Sequence, residues 1–360
     1  MTGRQRLTLT LVADGDLLMR DRQRQSNVLE SDLFIRGSVL RGALADAWIH
    51  VYGTGGAFRD VFTGMTRFLG GYPRVPTRDD DGRLRRTMTV PRTVFADKNS
   101  REVIDFAVRD DTDTAGYSRR SGLASFDREQ NSASLVDEPL SYARQRIGTL
   151  QDGTGLIGSE DDGKLFTEVV VASGAQFEVD IEGDPTSLDQ LRGLLNDPGV
   201  ERFLTIGRSR TILGMTRVAE MDVSPVEQDE PIKRSRHALY FATDAILLNE
   251  RLEPVVPDGR WLEVLADLEP GTVAAVDQGN LAERRIAGWS AVHRGPKPVD
   301  IAVERGSVLS FNCEDGDALQ SIAESLSSGV GWRTAEGFGV VHLDHPIHDA
   351  NWHVHYEQQG

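Results

Sequence analysis

Gly331-Trp-Arg-Thr-Ala-Glu-Gly-Phe-Gly339 follows an amphipathic segment, Asp317 to Leu326, and runs straight into a short apolar stretch. Gly207-Arg-Ser-Arg-Thr-Ile-Leu-Gly214 does the same after Ser187 to Leu195. Each closes roughly one half of the chain. Glycine tolerates backbone close to a ligand and permits positive φ, and successive loop N–H groups form a nest for an anion. An arginine beside such a nest adds a bidentate phosphate donor. A phosphate-reading loop in two copies points to a duplicated nucleic-acid-binding protein rather than an enzyme with one pocket.

Outward from the loops, the element order repeats. Leu7, Leu9 and Leu11 alternate with Thr8 and Thr10, the period-two pattern of a half-buried strand. A helix is predicted over Ser38 to Trp48, with Ser38 as its N-cap, Leu40, Leu44, Ala47 and Trp48 on its apolar face, and Arg41 in its first turn. There Arg41 would face the same anion as the loop amides. Lys164 to Val171 and Gln176 to Ile181 read as strands before the first glycine loop. The second half offers strands at Leu239 to Leu248 and Gly306 to Phe311, then the helix and the second loop. That order, twice over, predicts an α+β chain of two ferredoxin-like (RRM-like) domains. The first would span 1–222 and carry a large irregular insertion at about 64–162, with a mobile basic arm around Arg83 to Arg92. An acidic linker, Ala219 to Glu230, would separate it from a second domain at 234–360.

Composition bounds the function. The chain has 360 residues, enough for two cores, and no apolar run approaches the ~20 residues of a membrane span. No signal-peptide core follows the amino terminus, so a cytoplasmic protein is expected. One cysteine, Cys313, excludes a disulfide framework and a cysteine zinc cluster. The net charge of -16 argues against a free-standing nucleic-acid binder, which is usually basic. The acids cluster, however, and two segments are locally basic. Residues 201–218 hold four arginines and one glutamate; residues 67–92 hold seven arginines and three aspartates. An acidic remainder suits a subunit with basic neighbours.

Phe34-Ile-Arg-Gly-Ser-Val-Leu-Arg-Gly-Ala-Leu44 resembles the Ile-Pro-Gly-Ser-x-Leu-(Arg/Lys)-Gly-Ala-Leu motif of RAMP proteins from type III CRISPR effectors. Gly331 to Gly339 resembles their Gly-x-Arg-x-x-x-Gly-Phe-Gly loop. Phe62 to Pro73, Lys164-Leu-Phe166, Gly207 to Arg210, Thr243 to Leu247, Gly295 to Pro298 and Gly306 to Val308 follow in matching order, a series similar to the Csx-ten-type (Cas-five group) subunits of type III-D systems. The sequence departs from the pattern at Arg36, where proline is frequent, and at Gly214-Met-Thr-Arg217, where a glycine-aromatic turn is usual.

The resemblance implies two RAMP domains and a non-catalytic subunit, without metal or cofactor. It would hold the repeat-derived 5′ tag of a guide RNA (crRNA) beside a Cas-ten-type large subunit and Cas-seven-type backbone RAMP subunits. Carried over by position, Ser38 and Arg41 would meet the RNA backbone, Gly207, Arg208, Ser209 and Arg210 would form one loop, and Gly331, Arg333, Gly337 and Gly339 the other. Trp332 is the tryptophan placed to stack on a base.

The alternatives are a RAMP-class guide-processing ribonuclease, with His50, His237 or His293 as general base, and a protein-only scaffold adaptor. Neither His-Glu-x-x-His, Gly-x-Ser-x-Gly nor a Walker sequence is present. His342, His345, His348, His353 and His355 crowd a tail expected to be mobile, which disfavours a zinc site there.

Overall fold

The computed structural model describes residues 3–25, 28–76, 84–98, 102–109, 114–147, 165–198, 200, 203–207, 214–226, 232–277, 279–290 and 295–353. Contacts divide the chain into two compact units, Met1–Arg86 with Asp137–Val226, and Thr87–Val136 with Glu227–Gly360. The break near 226 falls at the expected linker. Residues 87–136, expected as an insertion of the first domain, instead join the second unit.

The first unit is built on four antiparallel strands in the spatial order Met215–Pro225, Gln5–Ala13, Gln176–Gly183, Arg67–Pro76. With helices Gly37–Tyr52 and Pro185–Leu195 as the two crossovers, this is the 4-1-3-2 arrangement of a ferredoxin-like fold. Leu7, Leu9 and Leu11 of the central strand and Phe177, Val179 and Ile181 of its neighbour are fully buried, in one cluster with Leu40, Leu44, Leu188, Leu191 and Leu195 of the helices. Each such burial contributes about 1.5–3 kcal/mol before chain entropy is counted. Pro185 opens its helix without a wasted donor, and the Asp184 carboxylate accepts from the Ser187 amide at 3.0 Å. The first helix starts differently from expectation. Ile35–Arg36 pairs with Gly70–Gly71, the helix begins at Gly37 with Arg36 as N-cap, and no side chain caps it, so Ser38 lies inside the first turn.

The second unit repeats the order. Strands Ala274–Asp277, Val308–Asn312, Arg236–Phe241 and Val341–Leu343 lie side by side, all antiparallel, with helices Gly259–Leu265 and Gly316–Leu326 as crossovers. Leu239, Phe241, Leu309 and Phe311 cluster with Leu262, Leu319, Ile322 and Leu326. Asp315 caps the second helix, as Asp184 caps its counterpart.

Residues expected to be irregular carry short strands. They include Val94–Asp97, Val103–Asp105, Tyr117–Arg119, Leu123–Asp127 and Ser132–Val136. The expected mobile basic arm contains the strand Leu84–Thr89, and the expected acidic linker contains most of the strand Met215–Pro225. The expected mobile tail is ordered through His353, whose strand Asn351–His353 runs parallel to Ser132–Ser134. His355 lies outside the described residues. Among the described residues, no helix is long and apolar enough to cross a membrane.

Candidate nucleic-acid interface

Both glycine loops occupy the same place in their units, between the second crossover helix and the last strand, and the same hydrogen bonds hold each. In the first, the Ile206 amide donates to the Gly214 carbonyl at 2.7 Å and the Gly214 amide to the Asp16 carbonyl at 3.0 Å. In the second, Val330 donates to Gly339 at 2.9 Å and Gly339 to Asp244 at 2.9 Å. Leu17 and Val171 exchange a pair of backbone bonds, as do Ala245 and Val303. Two residues further on, the Ser173 amide donates to the Asp16 carboxylate at 3.4 Å and the Arg305 amide to the Asp244 carboxylate at 2.9 Å. A carbonyl at the next strand start, Met215 or Val340, accepts from two successive amides in each unit. Among the described residues, the two loops are thus anchored by the same set of backbone bonds.

The cradle depends on its glycines. A Cβ on Gly331 would stand 2.3 Å from the Ile246 carbonyl oxygen, and one on Gly339 1.8 Å from that of Val330. Both residues have positive φ, 79° and 69°. Gly207 and Gly214 meet the carbonyls of Leu18 and Ile206 in the corresponding way. Gly337 ends the 3-10 turn Thr334–Glu336 in the left-handed region. Arg208, Ser209 and Arg210 lie outside the described residues.

The second loop differs electrostatically from the expectation. Arg333 does not stand open as a phosphate donor. Its guanidinium reaches Asp300 at 2.9 Å and Glu336 at 2.6 Å, and lies 4.7 Å over the Phe338 ring. Lys297 donates to both oxygens of the same Glu336 at 3.1 and 3.0 Å. Burial opposes the Glu336 charge, but Arg333 and Lys297 outweigh it and hold that carboxyl below its ordinary range. Two cations and two anions leave the group neutral. Trp332 next to it is 52% exposed, and its amide donates to Ile246 at 2.9 Å.

Arg41, expected to face the anion of the loop amides, is engaged within the fold. Its guanidinium bonds the Phe62 carbonyl at the end of helix Gly56–Thr63. Ser38 is half-buried. Arginines of the basic stretch are likewise engaged. Arg86 reaches Asp180 and, at 3.4 Å, Glu178; Arg67 reaches Glu182 at 3.3 Å; Arg74 lies 3.9 Å from Glu178. Burial disfavours the Asp180 carboxylate, yet Arg86 and Arg6 hold it below its ordinary range. Sequence reasoning missed these acids because they lie on a strand far along the chain. In the second unit the sheet face away from the helices is covered: Tyr240 donates to the Thr89 carbonyl at 2.8 Å, and Ser310 to that of Ala107 at 2.7 Å. In that unit the loop rather than this sheet face stays exposed, at Gly331 and Trp332.

His237 and His348 are buried in the second unit. His237 is fully buried, with one ring nitrogen 2.7 Å from Asp344 and the other 3.2 Å from the Cys313 carbonyl, so no substrate reaches it. His348 is buried against Asp105 at 2.8 Å. His342 and His345 contact each other's rings. Desolvation, reinforced by His342, His348 and Arg128, lowers the His345 pKa well below 6.5. His50 is exposed in the last turn of its helix, and His293 lies outside the described residues. Among the described residues no group of three or more ligating side chains is placed to hold a metal ion.

Three comparisons bear on kinship. The family described as CRISPR-associated protein (Cas_Cmr3) matches residues 149–343, and the RAMP superfamily matches residues 10–212. A flagellar P-ring protein of Ruegeria pomeroyi is 31% identical over 211 residues, 54% of this chain and 57% of its own. The chain spans little more than half of that curated relative, too little to show shared family. A chain of the type III-B Cmr-beta complex bound to cognate target RNA and AMPPnP aligns over 85% of this chain and 86% of its own, at 12% identity and a TM-score of 0.45. Thermus thermophilus Cas6 aligns over 95% and 99%, at 11% identity and a TM-score of 0.40. At those TM-scores neither structure bears on function. The two family matches each cover more than half of the sequence, and on them the chain belongs to the RAMP superfamily and, within it, to the Cmr3 family of CRISPR-associated proteins.

Proposed function

We propose that this chain is a non-catalytic, RNA-binding subunit of a type III CRISPR effector, of the Csx-ten kind, that holds the repeat-derived 5′ tag of the crRNA. It would cap the complex beside a Cas-ten-type large subunit and meet Cas-seven-type backbone RAMP subunits. The observation that carries this reading is the twice-built glycine cradle, in a chain of a CRISPR-associated RAMP family. Its work is capture. Arginines of the first loop hold phosphates, and base contacts select the tag nucleotides. The sealed environment of His237 supports a role without strand cleavage. The paired arginines of the first unit's sheet also fit an acidic subunit whose RNA contacts are confined to loops.

The test is titration of a repeat-derived 5′-tag oligoribonucleotide against the full chain at several salt concentrations. Arg208→Ala with Arg210→Ala is expected to weaken binding and to reduce the slope of log affinity against log salt by about 1.4, two phosphate contacts at ~0.7 each. Unchanged affinity and slope would overturn the first-loop assignment. Cleavage of the oligonucleotide would replace capture with processing.

A further inference from the structure

The two loops share their anchoring bonds at the described residues but not their sequence chemistry. At the position after the first glycine, the first loop has Arg208 and the second has Trp332. The Trp332 backbone is fixed: its amide bonds Ile246, and a side chain on Gly331 before it would collide with the same carbonyl. The residue nevertheless remains 52% exposed. An indole in water on an anchored backbone offers a large, rigid π face at low entropic cost. The cations beside it are spent. Arg333 is held by Asp300, Glu336 and the Phe338 ring, and Lys297 by Glu336. A phosphate approaching Arg333 would have to displace two carboxylates that repel it.

We propose that the second loop takes an unstacked nucleobase of single-stranded RNA on the face of Trp332, and that Arg333 is a positioning residue rather than a phosphate ligand. This rests on the reading that the chain binds RNA. Arg333 sits at φ 60°, in the left-handed region, and its bonds to Asp300 and Glu336 bridge the loop to the strand Asp300–Val303. That bridge holds the turn after Trp332 and so fixes the direction of the ring. Every base has a π face, so this contact tolerates sequence and contributes almost no salt dependence.

The experiment titrates the same 5′-tag oligoribonucleotide against the full chain and follows tryptophan emission. Trp332→Ala is expected to lower affinity roughly 5- to 140-fold, with an unchanged salt slope and melting temperature. Trp332→Phe should keep most of the affinity while abolishing the RNA-induced quenching of emission. Arg333→Gln should weaken binding without changing the slope. Wild-type affinity in Trp332→Ala would overturn the proposal. So would a slope reduced by ~0.7 in Arg333→Gln, the mark of a lost phosphate contact. Loss of subunit assembly in Trp332→Ala, with RNA affinity intact, would assign the ring to a protein partner instead. If the wild-type chain binds no RNA, the function reading falls and this inference with it.

Discussion

Gly331→Ala strikes the second cradle directly before Trp332. The new Cβ would lie 2.3 Å from the Ile246 carbonyl oxygen and 3.0 Å from the Leu247 side chain, at a φ of 79°. A left-handed alanine costs about 1–2 kcal/mol. Relieving the overlap moves residue 331 away from Ile246 and stretches the 2.9 Å bond from the Trp332 amide, a loss of about 1 kcal/mol. The sum of about 2–3 kcal/mol corresponds to a roughly 30- to 140-fold rise in local opening. Hydrogen–deuterium exchange reads this directly, because the Val330, Trp332 and Gly339 amides are all donors in the cradle. Exchange in peptides spanning 328–340 should accelerate by that factor, while the helix Gly316–Leu326 is affected less. Gly207→Ala should produce the corresponding effect around residues 206 and 214, where the Cβ would lie 2.7 Å from the Leu18 carbonyl. Unchanged exchange in both variants would refute the claim that these glycines are required by close approach.

Gly42→Ala should act in the opposite sense: it lies within helix Gly37–Tyr52 with nothing near its Cβ position, so stability should rise by about 0.5–1 kcal/mol in a denaturant titration. Asp180→Asn removes the main counter-charge of Arg86. Its cost should be about 2–3 kcal/mol, below the ~3–5 of a fully buried pair because the Arg86 side chain is 36% exposed. His345 gives a pH signature. Its folded pKa lies well below 6.5, so the unfolded chain binds more protons as the medium acidifies. Its stabilising contribution is present above pH 6.5 and is lost as pH falls through the window beneath that value. In His345→Gln the decline of melting temperature between neutral and mildly acidic pH should flatten, and an unchanged profile would remove His345 as its source.

Much of the fold was legible where one face of an element is buried and the other is not. Leu7, Leu9 and Leu11 alternate because their neighbours Thr8 and Thr10 face a polar side. Residues 94–136, within the stretch expected to be irregular, were opaque for a physical reason. Strands of three to five residues, such as Val103–Asp105 and Ser132–Val136, are too short to establish a period, and their partners lie elsewhere in the chain. Ala219 to Pro225 read as linker because this part of the strand, beyond its pairing with Phe203–Thr205, carries exposed charge at Glu220 and Asp222. Arg86 looked available because its acids are over ninety residues away. Arg333 carried a visible warning, since Glu336 stands three residues later in the same loop, but Asp300 could be found only in three dimensions. The glycines were the most legible part of the site, since close approach and positive φ leave few other residues possible.

The central claim is capture of a guide tag within a multisubunit effector. Co-purification of the intact protein from its native host, followed by sequencing of bound RNA, tests it most directly. The account predicts RNA sharing one repeat-derived 5′ end, recovered with a Cas-ten-type large subunit and Cas-seven-type subunits. Partner proteins without RNA, or a chain recovered with neither, would contradict it.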